Sequence, residues 1–307
     1  MKILLYVNSK QDFRKSDHLG GIEVLNFDLY NFIKRKHYAI LTNSITNSIK
    51  NIDWDIIISS NDANVFNLVK SRRKILWLHN KLQIEKAFRK KQLFPILFNK
   101  IEAVFVSKYL NNITSKLYFF KKRIILPNFL PYIFDDQNNH NKTDFKNKKI
   151  VWSVQREKGL DKIIEIWIRK INKLQPNAEL HIFTTSKLNI NNLKKCNVYF
   201  HGKISREKLL NFYKKSFGMI CLGYDETFCL NAIEAMKMGL PVISLGKTAL
   251  NELIINNKNG LKVNNLMNID KSILKLLKLN RAERSKIGKT SSAFTKKFDS
   301  RHIFKKW

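Results

Sequence analysis

Three observations predict an α/β fold built from two doubly wound halves. Short apolar runs alternate with helical patterns through most of the 307 residues, the pattern of parallel β/α structure. One polar stretch without periodicity, residues 131–149, which contains Asp135-Asp136-Gln137-Asn138-Asn139-His140-Asn141, interrupts that alternation, and the alternation then restarts. The length suits two ordinary domains, and a hydrophobic content of 44% supplies their cores.

In chain order, the apolar runs predict strands at residues 3–7, 39–42, 56–59, 75–78, 103–107 and 124–126, with helices at 22–36 and 82–91 among the segments between them. After the polar stretch, strands are predicted at 150–154, 179–183, 198–201, 219–222 and 242–244. Helical periodicity fits 160–174, 206–215, 228–238 and 251–256, and the tail from 268 to 307 is helical and basic. The two halves repeat an architecture and not a sequence.

Lys and Arg number 57 against 24 Asp and Glu, a formal charge of +33. Such a balance fits an anionic partner: nucleic acid, a membrane surface or an acidic substrate. Lysine far outnumbers arginine, and Asn and Ile are heavily used, as an AT-rich genome writes exposed positions, so composition bias competes with function as the source of the charge. The lysines are spread along the whole chain and are not interleaved with aromatics on one face, which argues against single-stranded nucleic-acid binding. No apolar run reaches about 18 residues, and the N-terminus lacks a signal-peptide pattern, so a cytoplasmic protein is expected. Its three cysteines, Cys196, Cys221 and Cys229, have no zinc or redox spacing and read as reduced thiols.

The densest motif is Tyr224-Asp225-Glu226-Thr227-Phe228-Cys229-Leu230-Asn231-Ala232-Ile233-Glu234-Ala235-Met236-Lys237-Met238-Gly239-Leu240-Pro241-Val242. A helix starting just after a loop carboxylate presents free N–H groups that attract phosphate. A second carboxylate two turns on, Glu234, can accept hydrogen bonds from sugar hydroxyls. Together they suit a nucleotide-sugar. On a regular helix Glu226 and Glu234 would lie ~12 Å apart along the axis, too far for a retaining glycosidase pair.

This motif resembles the signature of the retaining glycosyltransferases of family 4, the group 1 transferases with the GT-B fold. Glu226, Phe228, Glu234, Ala235, Met236, Gly239, Pro241 and Val242 match the family pattern, and Cys229 stands where Gly is usual. The resemblance implies two Rossmann-like domains facing a cleft. Residues 1–130 would form an acceptor-binding domain, 131–148 a linker and 149–290 a nucleotide-sugar-binding domain. Residues 291–307 would form a helix packing back on the first domain. It also implies that Glu234 binds the donor ribose and that Glu226 lies by the donor sugar and its phosphates.

Further residues follow from the same resemblance. Gly20-Gly21 occupies the place of the family's Gly-Gly loop, where paired glycines allow positive φ and close approach to a ligand. His79, at the end of an apolar strand where open sheets bind ligands, stands where the family has a histidine near the transferred sugar. Arg156 and Lys158 lie in a strand-to-helix turn where two cations would neutralise a pyrophosphate. Gly202 and Lys203 fall beside the nucleobase. The resulting candidates are His79 and Glu226 for catalysis. Gly20, Gly21, Arg156, Lys158, Gly202, Lys203, Thr227, Phe228, Cys229 and Glu234 are the candidates for donor binding. No metal or other cofactor is expected, because the cations and the helix N-terminus would carry the phosphate charge.

The expected reaction moves a sugar from a nucleotide-diphosphate sugar to a glycan or lipid-linked acceptor. Residues 86–94 mix cations with bulky apolar residues and fit either contact with an anionic membrane, at its inner face, or an ordinary core-facing helix with a solvated basic side. No nucleic acid is expected. A catalytically inactive GT-B scaffold, or a basic nucleic-acid- or lipid-surface-binding protein, remains the alternative reading.

Overall fold

The computed structural model describes residues 1–10, 19–135, 143–186 and 193–307. The chain forms two compact units, residues 1–131 with 300–307, and residues 132–299. Of the stretch read as a linker, residues 136–142 lie outside the described residues.

The first unit holds a parallel sheet of β1 (Lys2–Val7), β2 (Tyr38–Thr42), β3 (Trp54–Ser60), β4 (Ser71–Leu78), β5 (Glu102–Phe105) and β6 (Lys122–Ile125) in the order β2-β1-β3-β4-β5-β6. Every predicted strand of this half is present. Parallel strands are buried on both faces and therefore read as continuous apolar runs; Leu4, Leu5, Ile57, Ile58, Leu76 and Phe105 all lie in the core. The helix Gly21–Ile33 buries Leu25, Leu29 and Ile33. Ser300–Phe304 contributes Phe304, whose ring meets Phe32 at 4.6 Å and Phe129 at 4.5 Å. The ring of Trp307 lies 4.8 Å from that of Trp77.

The second unit holds β7 (Lys148–Trp152), β8 (Ala178–Ile182), β9 (Val198–Phe200), β10 (Gly218–Ile220), β11 (Val242–Ser244) and β12 (Gly260–Lys262), all parallel, in the order β12-β11-β10-β7-β8-β9. The edge strand β12 is not legible as an apolar run. It has three residues and begins on Gly260, where a Cβ would fall 2.2 Å from the carbonyl oxygen of Val242. The predicted helix at 160–174 contains a π turn at Trp167–Ile171, with the Trp167 indole donating to the carbonyl of Cys196.

In each sheet the chain begins on an inner strand, builds to one edge, and returns to build the other. The strand order thus reverses between β1 and β3, and between β7 and β10. Open α/β sheets bind ligands outside the carboxyl ends of their strands at such reversals. Each unit has the doubly wound form of a GT-B domain.

Candidate active site

At the second unit's reversal, the loops leaving the neighbouring strands β7 and β10 carry half of the sequence candidates. The loop after β7 makes a single 3₁₀ turn, Arg156–Lys158, and ends on Gly159. Gly159 has φ +104°, and a Cβ there would meet Leu222 and Tyr224 side chains at 2.7 and 2.9 Å. Only glycine lets this turn seat against the loop after β10. The contact brings Lys158 to Glu226, Nζ to Oε1 3.8 Å, with both side chains mostly buried. Burial raises the Glu226 carboxyl above its ordinary range; Lys158 pulls it back down and Asp225 pushes it up.

Arg156 points to a different partner. Its Nε donates to Asp161 at 3.0 and 3.2 Å on a partly exposed surface. The two cations of this turn therefore do not form a matched pair over one anion in this structure.

The helix predicted from residue 228 spans Leu230–Lys237. Its N-cap is Cys229, at φ +68° and ψ +77°, the left-handed region. That conformation costs roughly 1–2 kcal/mol in a non-glycine residue, which explains the glycine usual at this place in the family pattern. Since Glu226 precedes the helix by four residues, the spacing expected for Glu226 and Glu234 on one regular helix does not apply. Phe228 is buried edge-on against Phe298 at 5.7 Å, so its side chain packs the unit. Thr227 is half-buried in the turn.

Glu234 lies within the helix and is completely buried. Arg206, the first residue of the Arg206–Lys215 helix, hydrogen-bonds its Oε1 through Nη1. The other oxygen, Oε2, is buried with no hydrogen-bond partner among the described residues. Burial raises this carboxyl, and Arg206 opposes the rise. Arg206 was not among the sequence candidates; its position opening a helix, after the cap Ser205, gives no hint that its guanidinium reaches a distant carboxylate. Asn231 anchors the same helix by donating to the carbonyl of Ser153. Ser153 in turn shares a 2.7 Å hydrogen bond with the buried hydroxyl of Tyr213.

The two thiols that sequence spacing kept apart are neighbours. Cys221 and Cys229 are buried, unbonded covalently, and 3.4 Å apart at Sγ. The sulfur contact, followed by burial, pushes the Cys229 thiol well above its usual range.

At the ends of β8 and β9, His181 stacks on His201, and its Nδ1 lies 2.9 Å from His201 Nε2 while its Nε2 lies 2.8 Å from Glu179. Burial depresses His181 to about 4, so it is neutral at pH 7. Its one N–H then faces the carboxylate, and Nδ1 accepts from His201 Nε2–H. Gly202 follows at φ +69° with open space where a Cβ would be, and Lys203 is exposed.

In the first unit, His79 sits directly after β4. It is buried against Trp77, ring centroids 4.4 Å apart, and burial lowers it to about 3, so it is neutral. Its backbone N–H donates to Asn61 Oδ1 at 2.8 Å. The glycine loop differs from expectation. Gly20 has φ −67° and ψ 175°, ordinary extended backbone, and caps the helix that Gly21 opens; neither glycine has positive φ. The space beside Gly20 is taken by Glu23, whose Oε2 would lie 2.4 Å from a Cβ.

Comparisons with known proteins agree with this architecture. Among solved structures, sucrose-phosphate synthase from Thermosynechococcus elongatus superposes with a TM-score of 0.76 at 13% identity, over 100% of this chain and 97% of the other. Anabaena HepE in complex with UDP-glucose gives 0.74 at 12% identity, over 100% and 98%. WaaG, a glycosyltransferase involved in lipopolysaccharide biosynthesis, gives 0.71 at 13%, over 100% and 98%. No curated protein sequence matches significantly. The sequence profile described as "Glycosyl transferases group 1" matches residues 135–293, just over half of the chain, and it covers the Lys158–Glu226 turn and the Glu234 helix. The chain is a glycosyltransferase and belongs to the group 1 glycosyl transferase family.

Proposed function

We propose that the chain transfers a sugar, with retention of anomeric configuration, from a nucleoside-diphosphate sugar to a hydroxyl of a glycan or lipid-linked acceptor. The observation that carries the donor reading is the bare, buried Oε2 of Glu234 beside an Oε1 already satisfied by Arg206. A buried carboxylate oxygen without a donor is costly, and a ribose hydroxyl would supply one. UDP-glucose bound by HepE, a structural relative, is consistent with this donor class.

In this reading Lys158 and the N–H groups opening the Leu230–Lys237 helix hold the diphosphate, and Arg156 joins them by leaving Asp161. Gly202 and Lys203 lie by the base. The acceptor oxygen bonds to the anomeric carbon as the bond from that carbon to the diphosphate breaks. The acceptor proton passes to the departing phosphate. Glu226 lies by the sugar; His79, in the first unit, is neutral and can offer a hydrogen bond but no charge. The acceptor belongs to the first unit, and the protein works in the cytoplasm.

A thermal-shift screen against UDP-, GDP- and ADP-sugars identifies the donor, and NMR of the product reports its anomeric configuration. Stabilisation by no nucleotide-sugar would sink the donor reading, and an inverted product would sink retention alone.

A membrane-surface contact accompanies this activity. Phe88, Phe94 and Phe98 are 64%, 61% and 76% exposed, contrary to a core-facing stripe, and Phe94 and Phe98 stack at 6.2 Å. Lys86, Lys90 and Lys91 lie close to them in sequence and are exposed as well. Exposed aromatics among lysines suit the headgroup region of an anionic bilayer. Sedimentation with anionic but not neutral vesicles is expected, and equal sedimentation with both would refute it.

A further inference from the structure

The loop from β10 to the Leu230–Lys237 helix closes on itself. Cys221 leaves the strand, Cys229 caps the helix, and their sulfurs come to 3.4 Å. The carboxylate of Glu226, from the same loop, joins them, and the three ligand atoms lie within 4.8 Å of one another. Cys221 is fully buried, Cys229 is 7% exposed, and the Glu226 side chain is 16% exposed.

Two thiols and a carboxylate are the donor set of a borderline-soft divalent ion. Zinc binds sulfur at about 2.3 Å, so two thiolates on a tetrahedral ion stand roughly 3.8 Å apart. The observed separation needs to open only slightly, whereas a disulfide, at about 2.05 Å, requires the sulfurs to close by more than an ångström. Charge favours the ion as well. A divalent cation with two thiolates and Glu226 carries a net charge of −1, which Lys158, 3.8 Å from Glu226, offsets. Cys229 is the departure from the family's usual glycine, so the site would be particular to chains carrying this pair.

We propose that Cys221, Cys229 and Glu226 form an inhibitory site for zinc or another thiophilic divalent ion. Binding replaces the two thiol protons, which pass to solvent, and uses three protein ligands, leaving the fourth position of a tetrahedral ion open. The ion competes with Lys158 for Glu226 and places a cation where the loop meets the donor helix. That occupancy blocks donor use rests on the donor site proposed above; the ion site itself does not.

The test uses the full chain, kept reduced with a phosphine and stripped with a chelator. Cadmium chloride is titrated while thiolate-to-metal charge-transfer absorption is followed, and zinc affinity is read by competition with a chromophoric chelator. The proposal expects one equivalent, a loss of affinity of about 100-fold or more in both Cys221→Ala and Cys221→Ser, and no change in Cys196→Ala. Zinc at one equivalent should weaken nucleotide-sugar binding at least about tenfold in the parent protein and not in the Cys221 variants. Absence of the charge-transfer band in the parent protein overturns the site, whatever the variants do. So does a band that survives loss of Cys221 or vanishes with Cys196. If the metal-free protein binds a nucleotide-sugar but no cadmium, this inference falls and the donor reading stands. If cadmium binds through Cys221 and no nucleotide-sugar binds, the donor reading and the inhibitory role fall together and the ion site remains.

Discussion

The ammonium of Lys158 lies 3.8 Å from the carboxylate of Glu226, across the loops that leave the neighbouring strands β7 and β10. Gly159 permits the approach because no side chain fits between it and Leu222. Since burial raises Glu226 and Lys158 lowers it, Lys158→Met should raise this carboxyl further. The acid limb of the pH profile for kcat/KM should then move to higher pH. Removing a cation from the diphosphate should also lower kcat/KM by roughly 10²–10³-fold. Steady-state kinetics across pH measures both effects, and an unmoved acid limb would separate Glu226 from catalysis.

Cys229 offers a test of backbone strain. At φ +68° any side chain is disfavoured, so the usual helical preference for alanine over glycine should invert here. Cys229→Gly and Cys229→Ala both remove the thiol, and their difference isolates the left-handed conformation. The glycine variant should be more stable by about 1 kcal/mol. Urea denaturation of the two decides the sign; an alanine variant equal to or better than glycine would contradict the assigned geometry.

Arg284 is buried to 1% and faces no carboxylate among the described residues. It donates to the carbonyls of Phe217 and Gly239 at 2.6 and 2.8 Å. Desolvation lowers its pKa to about 10, which still leaves it charged at neutral pH. Arg284→Met keeps much of the volume but strips the carbonyls of their donor. A loss of about 2–4 kcal/mol is expected, read as a lower urea midpoint with an unchanged m-value.

Two histidines set an acid limit. Burial holds His79 near 3 and His181 near 4, both below the ordinary 6.5. Between those values and 6.5 the unfolded chain binds more protons than the folded one. Stability is therefore complete above about pH 6.5 and is lost as pH falls toward 4. The thermal midpoint should drop across that window, and His181→Asn should reduce the slope. A midpoint flat from pH 7 to 5 would show that neither histidine is buried neutral.

Most of the fold was legible because parallel strands buried on both faces leave continuous apolar runs. Every strand but β12 has one; β12 is a three-residue edge strand that depends on the close approach of Gly260. The candidate site was legible, as a set of candidates, where chemistry and chain order coincide, as in Lys158, Glu226 and Glu234. It was not legible where the partner is remote in sequence. Arg206 reaches Glu234 from another helix, Asn231 reaches back to Ser153, and Arg284 takes carbonyls from two other segments. Cys221 and Cys229 show a different limit: their spacing resembles no ligand motif, yet a tight loop with a left-handed end brings them together. Gly20-Gly21 does not use the positive φ that paired glycines allow. Its backbone is ordinary, and the room the missing side chain leaves is filled by Glu23.

The most direct test of the donor site is calorimetric titration of UDP-, GDP- and ADP-glucose into the parent protein and Glu234→Gln. The substitution keeps the shape of the side chain and removes the buried charge that Arg206 and a ribose hydroxyl would share. At least one nucleotide-sugar should bind the parent, and the folded variant should bind it at least about tenfold more weakly. Equal affinity in the two proteins would contradict a donor ribose held by Glu234.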